Sequence, residues 1–275
     1  EDITASDQKT DKPLLTDVDQ LKRDGLTTTH VAAYSVGHFN NDLCAAMWFV
    51  YLSWYVKEVV KLPDDIVALC LFSGQIADGI TTPIVGILSD KFQTGCGKRN
   101  PFYYFGTLFV IPTFAGIFTY PPWIDDLSDS GKNIWYCTLP ALFNVGWASV
   151  QIAHMSIVNQ LSSSNRRRDR LVNNRNGFTY AANITVLSLA FLLFSFVSDS
   201  KQQFRILCLT CLSLGFMTSF FYIISIREVP LTNKARDLNE AYKQAVVGHK
   251  VATSDDEDDD EDQEDPTKKS VVGRN

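Results

Sequence analysis

Groups suited to chemical catalysis are scarce in this sequence. Six cysteines and four histidines occur in 275 residues, and they form neither a nucleophile–base pair nor a metal-ligand spacing. An enzyme is therefore not expected, and no metal site is expected. Cys44, Cys70, Cys137, Cys208 and Cys211 lie in apolar runs, and only Cys96 lies in a polar loop. That distribution excludes a disulfide framework. The Cys208–Cys211 pair falls inside an apolar helix and reads as two small buried side chains. A cleavable signal peptide is not visible. The chain begins with Glu1 rather than Met, as expected of a fragment or a processed product.

Acidity is lacking too, once one segment is set aside. The net charge is −6, yet ten acids fall between Asp255 and Asp265. Without them the 25 basic residues exceed the remaining 21 acids, leaving about +4. A block of like charge this dense is expected to be solvated and disordered. No nucleic-acid partner is expected.

Long hydrophobic runs dominate the middle of the chain. A helix needs about 20 mainly apolar residues to cross a bilayer. Six segments qualify: 31–56, 65–88, 101–123, 133–158, 177–198 and 203–226. The expected organisation is a cytosolic tail over 1–30, a six-span bundle over 31–226 and a cytosolic linker over 227–275. Its fold class is all-α and its first partner is the lipid bilayer. Basic residues collect on cytoplasmic loops. With the N-terminus inside, 20 of the 25 bases are cytoplasmic, including the Arg166–Arg170 cluster, Arg175 and eight from Arg227 onward. Lys57, Lys61, Lys132, Lys201 and Arg205 fall on the other face. Both termini are then cytosolic. Asn183-Ile184-Thr185 fits a glycosylation sequon but lies within the fifth span, so it is expected to stay unmodified. A short amphipathic helix is expected around Arg236–Val247, lying on the membrane or forming a soluble linker.

Ionisable side chains are costly inside a membrane, and those retained there usually face a polar cavity. In the first span, GHFNNDLC places His38 and Asp42 four apart, hence on one helical face, with Asn41 beside them. In the second, Gln75, Asp78 and Thr82 follow helical spacing, while Gly79 and Pro83 weaken the helix. In the fourth, Gln151 and His154 are three apart. Arg175 stands at the cytoplasmic entrance of the fifth. Single residues have plainer readings: packing for His154, capping for Asp78, a helix end for Asp42, snorkelling for Arg175. Together they point to a charged aqueous cavity. Transporter folds often contain inverted three-helix repeats with interrupted helices in matching positions. Here the first and fourth spans would correspond.

After the second span come Gly86, Asp90 and Lys91, then Gly97, Lys98 and Arg99. This resembles the cytoplasmic loop signature of the major facilitator superfamily, with Phe92–Cys96 lengthening the turn. Gly86 would allow close helix packing, and Asp90, Lys98 and Arg99 would form gating ion pairs. With NDLCAAMWFVYLSWY, ADGITTPIVGILSDK and GCGKRNPF, residues 30–230 resemble the glycoside–pentoside–hexuronide:cation symporter branch. The resemblance implies the six-helix N-terminal half of a major facilitator fold, built from 3+3 inverted repeats. The missing C-terminal six-span half becomes a partner, because the branch binds its solute between two such halves.

The resemblance also implies site residues. Asp42 matches a substrate-binding Asp, Arg175 a substrate-binding Arg, and Asp78 the first of two cation-coupling acids. Thr82 replaces the second acid, which favours H⁺ over Na⁺ as coupling ion. Asp42, Gln151, His154 and Arg175 would contact a small polar solute. Within the branch, FNVGWASVQIAHMSIVNQL and FTYAANITV look most similar to an animal group associated with lysosomes, melanosomes and cysteine import. Asp11-Lys12-Pro13-Leu14-Leu15 fits an acidic dileucine sorting pattern. A sugar or lysolipid solute, and a truncated non-transporting scaffold, are the alternatives.

Overall fold

The computed structural model describes the backbone of residues 25–261 and the side chains of residues 25–247. The dileucine pattern at Asp11–Leu15 and the side chains of the acidic run lie outside the described residues. Among the described residues eight α-helices follow one another: α1 (Thr28–Val36), α2 (Phe39–Trp54), α3 (Asp64–Lys91), α4 (Asn100–Phe118), α5 (Asp129–Leu161), α6 (Asn165–Phe196), α7 (Ser200–Ser225) and α8 (Glu228–Glu261). Among the described residues the only β-type pairing is an isolated bridge between Thr94 and Gly97.

Five of these helices, α3 to α7, are long and apolar enough to cross a membrane. The first expected span is a broken one. It is made of α1 and α2, interrupted at Gly37–His38 and extended by a π-helical turn over Tyr55–Val59. Together they cover the expected 31–56.

Two boundaries differ from expectation for identifiable reasons. The third span stops at Phe118 rather than 123, because Tyr120 turns left-handed (φ 48°) and Pro121 and Pro122 follow. The fifth begins at Asn165 rather than 177, so the Arg166–Arg170 cluster is helical and Arg175 lies inside the helix. A hydropathy window cannot see a polar helical extension. The weakening expected at Gly79 and Pro83 does not end α3, which runs unbroken. The helix expected around Arg236–Val247 is longer at both ends.

Two apolar cores form. One joins Trp48, Tyr55, Phe114, Phe143 and Phe204, with the Tyr55 and Phe204 rings 4.9 Å apart. The other joins Tyr34, Tyr103, Ile157, Leu161, Tyr222 and Leu231. Between them in the first span stand His38, Asn40, Asn41 and Asp42, all buried. Large apolar side chains such as Leu108, Ile184, Phe191 and Met217 remain exposed. Such a surface suits hydrocarbon or a second bundle rather than water.

The two ends of the bundle differ in charge. At the end away from the α3–α4 loop, lysines are met locally: Lys57 by Asp64 at 2.8 Å, Lys61 by Glu58 at 3.6 Å, and Lys201 by Asp125 at 3.2 Å. The Tyr120 hydroxyl also donates to Asp125 at 2.6 Å, and that bond, with Lys201, holds the carboxyl below its usual range. The end carrying Lys98, Arg99, the Arg166–Arg170 cluster and Arg227 is the basic end.

Candidate functional site

A helix broken inside a membrane must find new partners for its freed carbonyls. At Gly37–His38 these come from other spans. The Tyr34 carbonyl accepts from His154 Nε2 at 2.9 Å, and the Gly37 carbonyl accepts from the Tyr103 hydroxyl at 2.6 Å. At the break α1 also lies close against α7. A Cβ on Gly37 would lie 2.4 Å from the Tyr222 ring and 2.9 Å from His154 Nε2. Gly37→Ala is therefore expected to cost about 1–3 kcal/mol through overpacking. The check is thermal unfolding in detergent, with Tyr222→Leu expected to restore part of the loss in the double variant.

The break presents His38 and Asp42 to α6. His38 Nδ1 and Asp42 Oδ1 are 2.9 Å apart and both side chains are buried. Thr179, one turn beyond Arg175, donates to Asp42 Oδ2 at 3.2 Å. Arg175 Nη2 reaches His38 Nδ1 at 3.3 Å. A single ring nitrogen cannot both donate to Asp42 and accept from Arg175. The cluster therefore has two arrangements, distinguished by where one proton sits. Several nearby buried atoms have no protein partner: His38 Nε2, Arg175 Nε, Asn41 Oδ1 and both amide atoms of Asn40. Such groups are costly unless they are hydrogen-bonded.

The expected site residues do not all meet. Asp42 and Arg175 come together through His38. His154 stands behind them, wholly buried, its ring stacked on Tyr34 at 4.4 Å and 5.5 Å from the His38 ring. Its Nε2–H is spent on a carbonyl, so it braces the break rather than facing the cluster. Gln151 is half-buried, one turn earlier on α5. Asp78 is separate. It accepts from Thr82 Oγ1 at 3.1 Å and borders a cavity of about 40 Å³ with Trp48, Gln75, Phe143, Asn144 and Trp147. Asn41 links the two regions, donating to the Trp147 carbonyl at 2.9 Å.

The basic end is closed by a second constellation. Arg99 reaches the Asp90 carboxylate and Ser89 Oγ, and Lys98 Nζ donates to the Asp90 carbonyl at 3.3 Å. Around Gly86, among the described residues, nothing lies within 4 Å of where its Cβ would be, so no described helix of this chain packs closely there. A residue the sequence did not single out completes the constellation. Glu228, 3% exposed, accepts from the backbone N–H groups of Lys98 and Arg99 at 2.7 Å and Asn100 at 2.8 Å. A carboxylate on exposed N–H groups at a helix start is a favourable arrangement. Gly97 (φ 110°) is pressed beneath it, its Cβ position 2.3 Å from the carboxyl. Glu228 and Lys98 are 130 positions apart, which no local spacing reveals. Thr179 was findable as the residue one turn after Arg175.

A family described as MFS/sugar transport protein matches residues 33–249. The Equus caballus protein "Major facilitator superfamily domain-containing protein 12" is 32% identical over 223 residues, covering 71% of this chain and 45% of that protein. Its Homo sapiens counterpart is 35% identical over 182 residues, covering 62% and 36%. The Mus musculus "Sodium-dependent lysophosphatidylcholine symporter 1" is 23% identical over 163 residues, covering 59% and 30%. The chain thus spans less than half the length of these relatives.

Proposed function

From the premise that this chain belongs to the MFS/sugar transport protein family, we propose that it is the N-terminal, six-span half of a secondary active transporter for a small polar solute. The observation that carries the reading is the cluster of buried His38 and Asp42 with half-buried Arg175 at the broken first span. An acid and a guanidinium sharing one imidazole offer complementary contacts to a solute bearing both charges. Arg175 would take a carboxylate and Asp42 an ammonium group. An amino acid such as cysteine fits that pattern. His154 and Tyr103 hold the break in place, and Gln151, one turn before His154 on α5, is the remaining solute contact in this reading.

Asp78 is assigned the coupling proton. Its carboxylate has one hydroxyl donor and adjoins a small cavity, without a second acid to share a Na⁺ ion. Asp90, Lys98 and Arg99 latch the basic end, which is placed in the cytosol, and Gly86 faces the second half. Rocking of the two halves would open that latch. A lysosomal or related organelle membrane is the proposed location.

Uptake into proteoliposomes of the native full-length protein tests this reading. Cysteine uptake driven by a pH gradient is expected, and Asp78→Asn is expected to abolish gradient dependence while solute binding persists. Undiminished pH-driven uptake in that variant would remove the coupling role. A lysolipid solute is the second reading, favoured by an apolar groove of about 430 Å³ between α3, α4 and α5, lined by Ile84, Leu88, Phe102, Phe105 and Val145. Sugars are the third. Competition by each class in the same vesicles separates them.

A further inference from the structure

Away from the Asp42 cluster, a cavity of about 430 Å³ opens at the basic end, where α1, the last turn of α7 and α8 converge. Three of its lining residues are basic: His30, Arg227 and Lys234. Thr29 adds a hydroxyl, and none of the described lining residues is acidic. The nearest acid along α8, Glu228, is turned away and spent on the Lys98–Asn100 amides. Among the described residues, then, nothing within the cavity cancels the positive charge.

The basic groups are held in place. The Thr27 backbone N–H donates to His30 Nδ1 at 3.1 Å, so Nε2–H is the donor left to the ring. The Lys234 side chain lies across Gly25, where a Cβ would meet its Cε at 2.4 Å, and Gly25 itself is left-handed (φ 61°).

The opposite wall is apolar and leads into the membrane. Ile224 lines the cavity and is 51% exposed. Phe220 and Met217, four and seven residues earlier on α7, are also exposed. The three follow helical spacing and form one stripe running from the cavity along the span. A free phosphate would use only the basic wall. A phosphate ester carrying an acyl chain would use both.

We propose that this cavity binds the phosphate headgroup of an anionic phospholipid from the adjoining leaflet, with an acyl chain lying along Ile224, Phe220 and Met217. Phosphatidate or phosphatidylserine fits. The choline of a zwitterionic lipid would be set against a recess that is already basic. The bound headgroup would tie the start of the first span to α8, next to the Glu228 clasp.

The test is equilibrium binding to the full chain in detergent, using dioctanoyl phosphatidate, dioctanoyl phosphatidylcholine and inorganic phosphate as separate probes. Phosphatidate is expected to bind tightest. Near a membrane surface each basic residue contributes about fivefold to anionic-lipid affinity, so Arg227→Gln with Lys234→Gln should weaken phosphatidate binding about thirtyfold. Arg236→Gln with Lys243→Gln, on the same helix but outside the cavity, should weaken it far less. Three results would overturn the proposal: phosphate binding as tightly as phosphatidate, phosphatidylcholine binding as tightly, or the control pair losing as much as the cavity pair. Native size-exclusion profiles for both pairs keep the comparison free of folding effects.

Discussion

Glu228→Ala is expected to destabilise the chain by about 3–5 kcal/mol, the range for stripping the partner from buried charged or polar groups. The carboxylate is almost fully buried and accepts three backbone N–H bonds at 2.7–2.8 Å. Alanine would leave the amides of Lys98, Arg99 and Asn100 without their acceptor. Hydrogen bonds to a charged group contribute about 1.5–3 kcal/mol each, though such values do not add. Glu228→Gln retains one accepting oxygen and should fall between alanine and the parent. Two measurements check this: thermal unfolding in detergent, and hydrogen exchange at residues 98–100, where protection should collapse in the alanine variant. Parental protection there would show that the carboxylate is not what holds the loop. Asn100 Nδ2 also donates to the Ile226 carbonyl at 2.8 Å, so α8 is expected to loosen from α4 rather than detach.

Arg175→Gln and Asp42→Asn are each expected to lower uptake about 10²–10³-fold in the full-length protein, the equivalent of about 2.7–4.1 kcal/mol. Removing Arg175 leaves Asp42 with only His38 and Thr179. Removing the Asp42 charge leaves His38 and Arg175 facing each other at 3.3 Å with no acid between them. The double variant should be little worse than either single one, because the groups act as a unit. Thr179→Val, which loses one neutral donor, should have a much smaller effect. Initial rates normalised to the amount of protein in the membrane provide the readout. Additive losses would mean that Asp42 and Arg175 serve different steps.

Hydrophobic runs and their lengths were enough to locate the five long apolar helices α3 to α7, because the bilayer imposes a length on a crossing. The pairing of His38 with Asp42 was also legible, since four residues return a helix to the same face. What escaped was long-range. Arg175 reaches His38 only because α6 starts at Asn165, a polar beginning that hydropathy reads as loop. The interruption of the first span depends on Tyr222, His154 and Tyr103, three residues from three other helices. Glu228 looked like the first residue of a linker until the fold set it against the α3–α4 loop. Gly86 carried the expected motif, but no described residue of this chain meets it, since a motif specifies residue types and not the neighbour that will meet them.

The interruption of the first span also sets an order of assembly. The Gly37 carbonyl is satisfied by a residue 66 positions downstream and the Tyr34 carbonyl by one 120 positions downstream. Chains are made from the N-terminus and domains begin to fold as they emerge. When the first span is synthesised, neither partner exists. Its break cannot be stabilised until α4 supplies Tyr103 and α5 supplies His154. The geometry that brings His38 and Asp42 to Arg175 is thus a late event, completed after most of the bundle has been inserted.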